Sequence, residues 1–155
     1  FAGIEHNDIQ KSISSFLLPS GRGRKFLLDG YNIIDDSYNA NPESVKLAIK
    51  RLSEIKTSNK KILIFADMLE LGKDSNNKHK QIGTLLDSSN IDLILTYGKL
   101  SEITSENILK VPNKHFYNIL KLKNYLKRII SKNDIIYLKG SNSMKLEKIY
   151  KEGLK

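Results

Sequence analysis

Three runs, KILIFA at 61–66, IDLILTY at 91–97 and DIIYL at 134–138, are almost unbroken in isoleucine, leucine and aromatic residues. A strand with one wet face alternates apolar and polar residues; a strand covered on both faces has no such need. Runs of this kind demand a buried sheet with helices packed on it. Two shorter β-type runs, at 32–35 and 114–117, complete the set, and amphipathic stretches at 42–56, 76–88, 100–109, 119–131 and 143–152 separate them. The order βαβα predicts an α/β fold, a mostly parallel sheet with helices on both faces. Ligands of such sheets sit outside the carboxyl ends of the strands, so residues just after each run are the ones to inspect.

The first part of the chain reads differently. In GIEHNDIQKSISSF the apolar positions Ile9, Ile13 and Phe16 recur at helical spacing after a cap at Asn7 or Asp8, and the helix must stop before Pro19. FLLDGYNII follows, where Asp29-Gly30 between two apolar runs predicts a β-hairpin. The length of 155 residues suits one compact domain. No apolar stretch approaches the roughly 20 residues that cross a bilayer, and no secretory signal pattern opens the chain. With no cysteine there is neither a disulfide framework nor thiolate chemistry, and the cytoplasm is the expected compartment. The net charge of +9 comes from lysines scattered over positions expected on solvated faces. Without an aromatic-rich RNA-binding run, that charge points to surface solubility rather than to nucleic acid.

Four stretches carry polar chemistry, three of them just after strands. In IIDDSYNANPESV, Asn41 is placed to cap a helix beginning at Pro42, and the carboxylates Asp35 and Asp36 can accept bonds from sugar hydroxyls. Asp, Ser and Asn are also what any turn would use, so turn and site remain open alternatives here. In PSGRGRKF, Arg22 and Arg24 alternate with glycines, where a guanidinium could grip phosphate; a solvated linker is the plainer reading. FADMLELGKDSNNKHKQIG puts Asp67 and Glu70 in a loop at the same sheet edge, for loop shaping or substrate contact. Their spacing with His79 fits no compact metal motif, and no metal site is expected. In IIYLKGSNSMKLEKI, Lys139 would point a cation into the crevice while Ser141 or Ser143 caps a following helix opposite Glu147. His6 and His115 suggest only surface or packing roles. Neither a Walker A motif nor a nucleophile elbow occurs, so no complete catalytic machinery is visible.

Taken in order, GRG at 21–23, DDSYNANPESV at 35–45, ADMLELG at 66–72, HKQIG at 79–83 and LKGSNSMKLE at 138–147 resemble the carboxyl-terminal domain of the Mur ligases. The pairing of DSYNANP with DMLELG is similar to the branch that adds D-alanyl-D-alanine to UDP-N-acetylmuramoyl-tripeptide in peptidoglycan synthesis. The resemblance implies a Rossmann-like domain over 21–155, preceded at 1–20 by the last helix and linker of a central P-loop ATPase domain. A complete enzyme would add an amino-terminal domain for the UDP-sugar, use ATP and magnesium mostly through its central domain, and act as a cytoplasmic monomer in cell-wall growth, shape and division. The fragment alone would be inactive. Carried over by position, Asp36 matches an aspartate that bonds the ribose and Arg22 an arginine that reaches the phosphates. Tyr38, Asn39 and Asn41 match a crevice loop assigned to dipeptide binding or loop shape, and Asp67, Lys139 and Ser141 match the same crevice. Two departures stand out: Asn142 replaces the usual arginine after KGS, and Ala66 replaces a common glycine. The competing class is a noncatalytic basic α/β module that binds nucleotide or RNA, which the charge favours and the motifs do not.

Overall fold

The computed structural model describes residues 21–151 and 153–154; the helix anticipated after Asn7 or Asp8, and His6, lie outside the described residues. Six strands, β1 (Arg24–Leu28), β2 (Tyr31–Asp36), β3 (Lys61–Ala66), β4 (Leu93–Tyr97), β5 (Asn113–Phe116) and β6 (Ile135–Lys139), form one sheet in the order β1-β2-β6-β3-β4-β5. Every pairing is parallel except β1 with β2, which are antiparallel across the expected hairpin. Asp29 and Gly30 both take positive φ, 54° and 91°, the two-residue turn geometry that an Asp-Gly pair favours. The α/β fold expected from the sequence is thus the one observed.

The continuous apolar runs lie at the centre of the sheet. All six residues of β3 and all five of β6 are buried, as strands sandwiched between two layers must be. One layer is α1 (Pro42–Glu54) and α2 (Ser75–Asp87), whose Val45, Ala48, Ile49, Leu52, Ile82 and Leu86 share a core with Leu63, Phe65, Ile94 and Tyr137. The other is α4 (Ile119–Ile129), whose Leu122 and Leu126 join Ile62, Ile64, Leu95, Ile136 and Leu138. The short α3 (Ser101–Glu106) packs mainly on α2. Gly83 makes that packing possible: a Cβ there would lie 2.5 Å from the Thr104 carbonyl oxygen and 2.8 Å from Asn107 Cβ.

The last predicted helix, at 143–152, is not an α-helix. Two 3-10 turns, Asn142–Met144 and Leu146–Ile149, occupy the segment, separated by Lys145 at φ 54°. A left-handed residue cannot sit inside an α-helix, and the break turns Leu146 and Ile149 into the α4-side core, where both are about 1% exposed. Ser141 and Ser143 therefore do not cap a helix.

This topology creates a switch point. The connection after β2 and that after β3 run to the α1–α2 layer, whereas the segment after β6, which lies between them, packs against α4. Chains leaving neighbouring strands in opposite directions open a crevice at their carboxyl ends. The loops after β2, β3 and β6 converge there. At the opposite edge, carboxylates tie loops to backbone: Asp134 accepts from the N–H groups of Lys60 (3.0 Å) and Ser131 (2.8 Å), and Asp92 from that of Lys61 (2.7 Å).

Candidate functional site

The loop after β2 begins with two aspartates of opposite fate. Asp35 is 1% exposed and accepts from Gly21 N–H (3.0 Å), Ser37 N–H (3.2 Å), Ser37 Oγ–H (2.5 Å) and Tyr150 O–H (2.8 Å). It is an internal anchor, not a free acceptor for sugar. Strand alternation sends Asp36 the other way, with its side chain 22% exposed at the crevice. Of the two carboxylates, only Asp36 is placed to meet a ligand.

Arg22 reaches the same edge because the GRG stretch is anchored to this loop, not held as a loose linker. Gly23 N–H donates to the Asp35 carbonyl (2.8 Å), and the Gly21 carbonyl accepts from Tyr38 N–H (2.8 Å). At φ 79°, with Tyr38 backbone nitrogen 2.8 Å from where a Cβ would stand, position 21 requires glycine. The exposed Arg22 guanidinium then lies over the half-exposed Tyr38 ring, 4.0 Å from its centroid, a cation–π contact.

The remaining candidates are drawn into the scaffold to differing degrees. Asn39 Oδ1 accepts from Ala40 N–H (2.7 Å). Asn41 is the N-cap of α1: its Oδ1 accepts from Ser44 N–H (2.8 Å) while Asn41 N–H donates back to Ser44 Oγ (3.1 Å). Asp67, 4% exposed, accepts from three consecutive backbone donors, Lys99 (3.0 Å), Leu100 (3.1 Å) and Ser101 (2.7 Å), and so fixes the loop after β4 to the loop after β3. Ser141 joins the loops after β6 and β3: its N–H donates to the Asp67 carbonyl (3.1 Å) and its Oγ accepts from Leu69 N–H (2.9 Å). Gly140 packs so closely on β3 that a Cβ would lie 2.7 Å from Ala66 Cβ, which is why 140 is glycine and residue 66 is small.

Lys139 lies beneath the crevice. It is 2% exposed, and its ammonium donates to the Asn39 carbonyl (2.6 Å) and the Asp36 carbonyl (3.2 Å) and pairs with Asp36 Oδ2 (3.2 Å). These three acceptors match the three donors of a lysine. Tyr137, two residues earlier on the same face of β6, donates its O–H to Asp36 Oδ2 (3.1 Å). Burial first, and then the Asp36 carboxylate, raise the pKa of that phenol far above its ordinary value.

His79, in the stretch the sequence marks as amphipathic at 76–88, shapes the site. Fully buried on α2, its Nε2 accepts from Met68 N–H (3.1 Å) while Nδ1 lies 2.9 Å from the Ser75 carbonyl. Those partners require the neutral ring with its proton on Nδ1, and burial lowers its pKa to favour that form. The glycine three residues after Met68's neighbour, Gly72, and Glu70 both take positive φ (58° and 69°), so this loop is tightly wound. The only sequence signal for His79 was the HKQIG stretch itself. No group of three or more His, Cys, Asp or Glu side chains gathers to hold a metal among the described residues.

Residues 22–142 match the family model described as Mur ligase, glutamate ligase domain, and the chain belongs to the Mur ligase family. Within that family it is similar to the UDP-N-acetylmuramoyl-tripeptide–D-alanyl-D-alanine ligase of Bacillus subtilis (strain 168), 36% identical over 157 residues covering 98% of this chain and 34% of the relative. MurF ligase from Thermotoga maritima, solved in complex with ADP, superposes with a TM-score of 0.75 at 26% identity, covering 95% of this chain and 32% of that one. MurF from Acinetobacter baumannii shares the fold with a TM-score of 0.86 at 24% identity, covering 98% and 34%. The chain spans about a third of the length of the curated relatives it matches.

Proposed function

We propose that this chain is the carboxyl-terminal domain of an ATP-dependent ligase that joins D-alanyl-D-alanine to UDP-N-acetylmuramoyl-tripeptide. In this reading residues 21–155 form the domain, and residues 1–20 are the last helix and linker of a central ATPase domain. The observation that carries it is the convergence of the loops after β2, β3 and β6 at one switch point, with Asp36 partly exposed and Arg22 over Tyr38 of the same loop. Asp36 supplies a carboxylate acceptor for ribose hydroxyls, and Arg22 an exposed cation for the phosphates. Tyr38 and Asn39 line the rim toward the dipeptide; Asn41, Asp67, Lys139 and Ser141 hold the loops that form it.

The reaction assigned to the whole enzyme has two steps. The γ-phosphoryl group of ATP passes to the tripeptide carboxylate, giving an acyl phosphate and ADP. The dipeptide amine then attacks the acyl carbon, an amide forms, and inorganic phosphate leaves with loss of the amine proton. Magnesium would accompany ATP and be held mostly by the central domain, and the enzyme would work in the cytoplasm in cell-wall growth. Because the phosphate-cradling loop lies outside this chain, residues 21–155 by themselves are expected to show no turnover.

The test uses the full-length protein with UDP-N-acetylmuramoyl-tripeptide, ATP and magnesium, following phosphate release. Release that requires D-alanyl-D-alanine supports the assignment. Release indifferent to the acceptor would contradict the dipeptide assignment, and no release would leave a noncatalytic nucleotide-binding module as the better reading.

A further inference from the structure

If Asp36 grips the ribose, something must hold its carboxylate still, because it ends a strand and is followed by a loop. The sheet itself supplies the means. Asp36 and Lys139 are direct partners in the parallel register of β2 with β6, so their side chains leave adjacent strands on the same side. Tyr137 stands two residues back on that face, opposite Ile34, and is 3% exposed in the α1-side core. Both Tyr137 O–H (3.1 Å) and Lys139 Nζ (3.2 Å) converge on one oxygen, Oδ2. Among the described residues Oδ1 has no such partner, which leaves it to accept from a ligand.

We infer that Tyr137 and Lys139 are positioning residues for the nucleotide, acting through Asp36, with Lys139 also holding the floor of the loop that follows. The inference rests on the ribose role assigned to Asp36 under the proposed function. Lys139 is suited to both tasks. Its remaining bonds go to the Asp36 and Asn39 carbonyls, so one buried ammonium fixes the start of the loop, its middle and the carboxylate between them. A buried cation without those acceptors would be costly, so the ammonium and the loop conformation stabilise each other. Arg51 of α1 also interacts with the Tyr137 hydroxyl, which links the helix layer to the same network. Neither Tyr137 nor Lys139 needs to touch the nucleotide.

The experiment compares kcat/KM for ATP with that for 2′,3′-dideoxy-ATP in the full-length ligase and in its Asp36→Ala, Tyr137→Phe and Lys139→Met variants, with a thermal melt of each. The ratio of the two values reads the hydroxyl grip alone, which a general loss of stability would not change. Tyr137→Phe keeps the ring in the core and removes one hydrogen bond to a charged group, so the ratio should fall about fivefold to tenfold with the melting temperature nearly unchanged. Lys139→Met should lower the ratio as well and also raise KM for ATP. A ratio that collapses in Asp36→Ala but stays at the wild-type value in Tyr137→Phe would overturn the inference and leave the ribose role intact. A ratio unmoved even by Asp36→Ala would remove the ribose role, and the inference with it.

Discussion

At the level of single residues, a polar side chain at the carboxyl edge of this sheet either meets the crevice or holds the loops that frame it, and burial separates the two. Asp35 and Asp36 are neighbours of identical chemistry, yet the strand pleat gives one four protein donors and leaves the other partly exposed. The sequence places both at a strand end but cannot say which faces inward, because two of the groups that donate to Asp35, Gly21 N–H and Tyr150 O–H, are far away in the chain. Asp67 is similar: its position after β3 was legible, but its three acceptor bonds to residues 99–101 depend on the β3–β4 pairing. His79 shows the converse, a residue with no legible role that fixes the backbone at Met68. Its folded pKa is pushed below the ordinary value of 6.5 by burial, so the unfolded chain binds a proton more readily. The stabilisation is therefore complete above pH 6.5 and is lost as pH falls from there toward the folded pKa. In the full-length protein the melting temperature should drop more steeply on acidification from about pH 7.5 to 5.5 in wild type than in His79→Gln. Equal slopes would contradict the neutral, buried role.

At the scale of elements, the sequence located every strand of the parallel sheet to within a residue or two, because β3, β4 and β6 are buried on both faces and their composition says so. The helices are legible through their apolar spacing, and α1 is the clearest case, with Asn41 and Pro42 as its amino-terminal signal and Ser44 completing the capping box in the structure. That assignment also separates two roles for Asn41, helix cap and dipeptide contact. Asn41→Ala should lower stability by about 1 kcal/mol, and Asn41→Ser should recover it. As a cap, the serine variant should also restore KM for D-alanyl-D-alanine in the full-length enzyme; a KM still raised at wild-type stability would show direct contact. The segment after β6 looks like a helix in sequence, yet it forms two 3-10 turns. What the sequence cannot reveal is the left-handed Lys145, which the packing of Leu146 and Ile149 against α4 imposes.

For the molecule as a whole, the two edges of the sheet divide the work. Asp92 and Asp134 close loops at the amino edge, while the carboxyl edge gathers the residues to which ligand roles are assigned. A cleft of about 510 Å³ between β1 and the end of α1, lined by Phe26, Leu27, Ile55 and Thr57, is larger than the hollow of about 130 Å³ beside Asp35, Tyr38 and Asn142. Size alone would choose the first. The topology points to the second, because Tyr38 and Asn142, which line it, stand in the loops after β2 and β6 at the carboxyl edge. The net charge, which a reading of composition alone would assign to polyanion binding, is consistent with lysines on α4 and other outer faces away from that rim. The most direct test is hydrogen exchange on the full-length protein, with and without magnesium-ADP and UDP-N-acetylmuramoyl-tripeptide. Slower exchange at residues 22–23, 36–41 and 139–144, with α4 and the amino-edge loops unchanged, is the result this account predicts. Protection confined to the β1–α1 cleft, or none at the carboxyl edge, would contradict it.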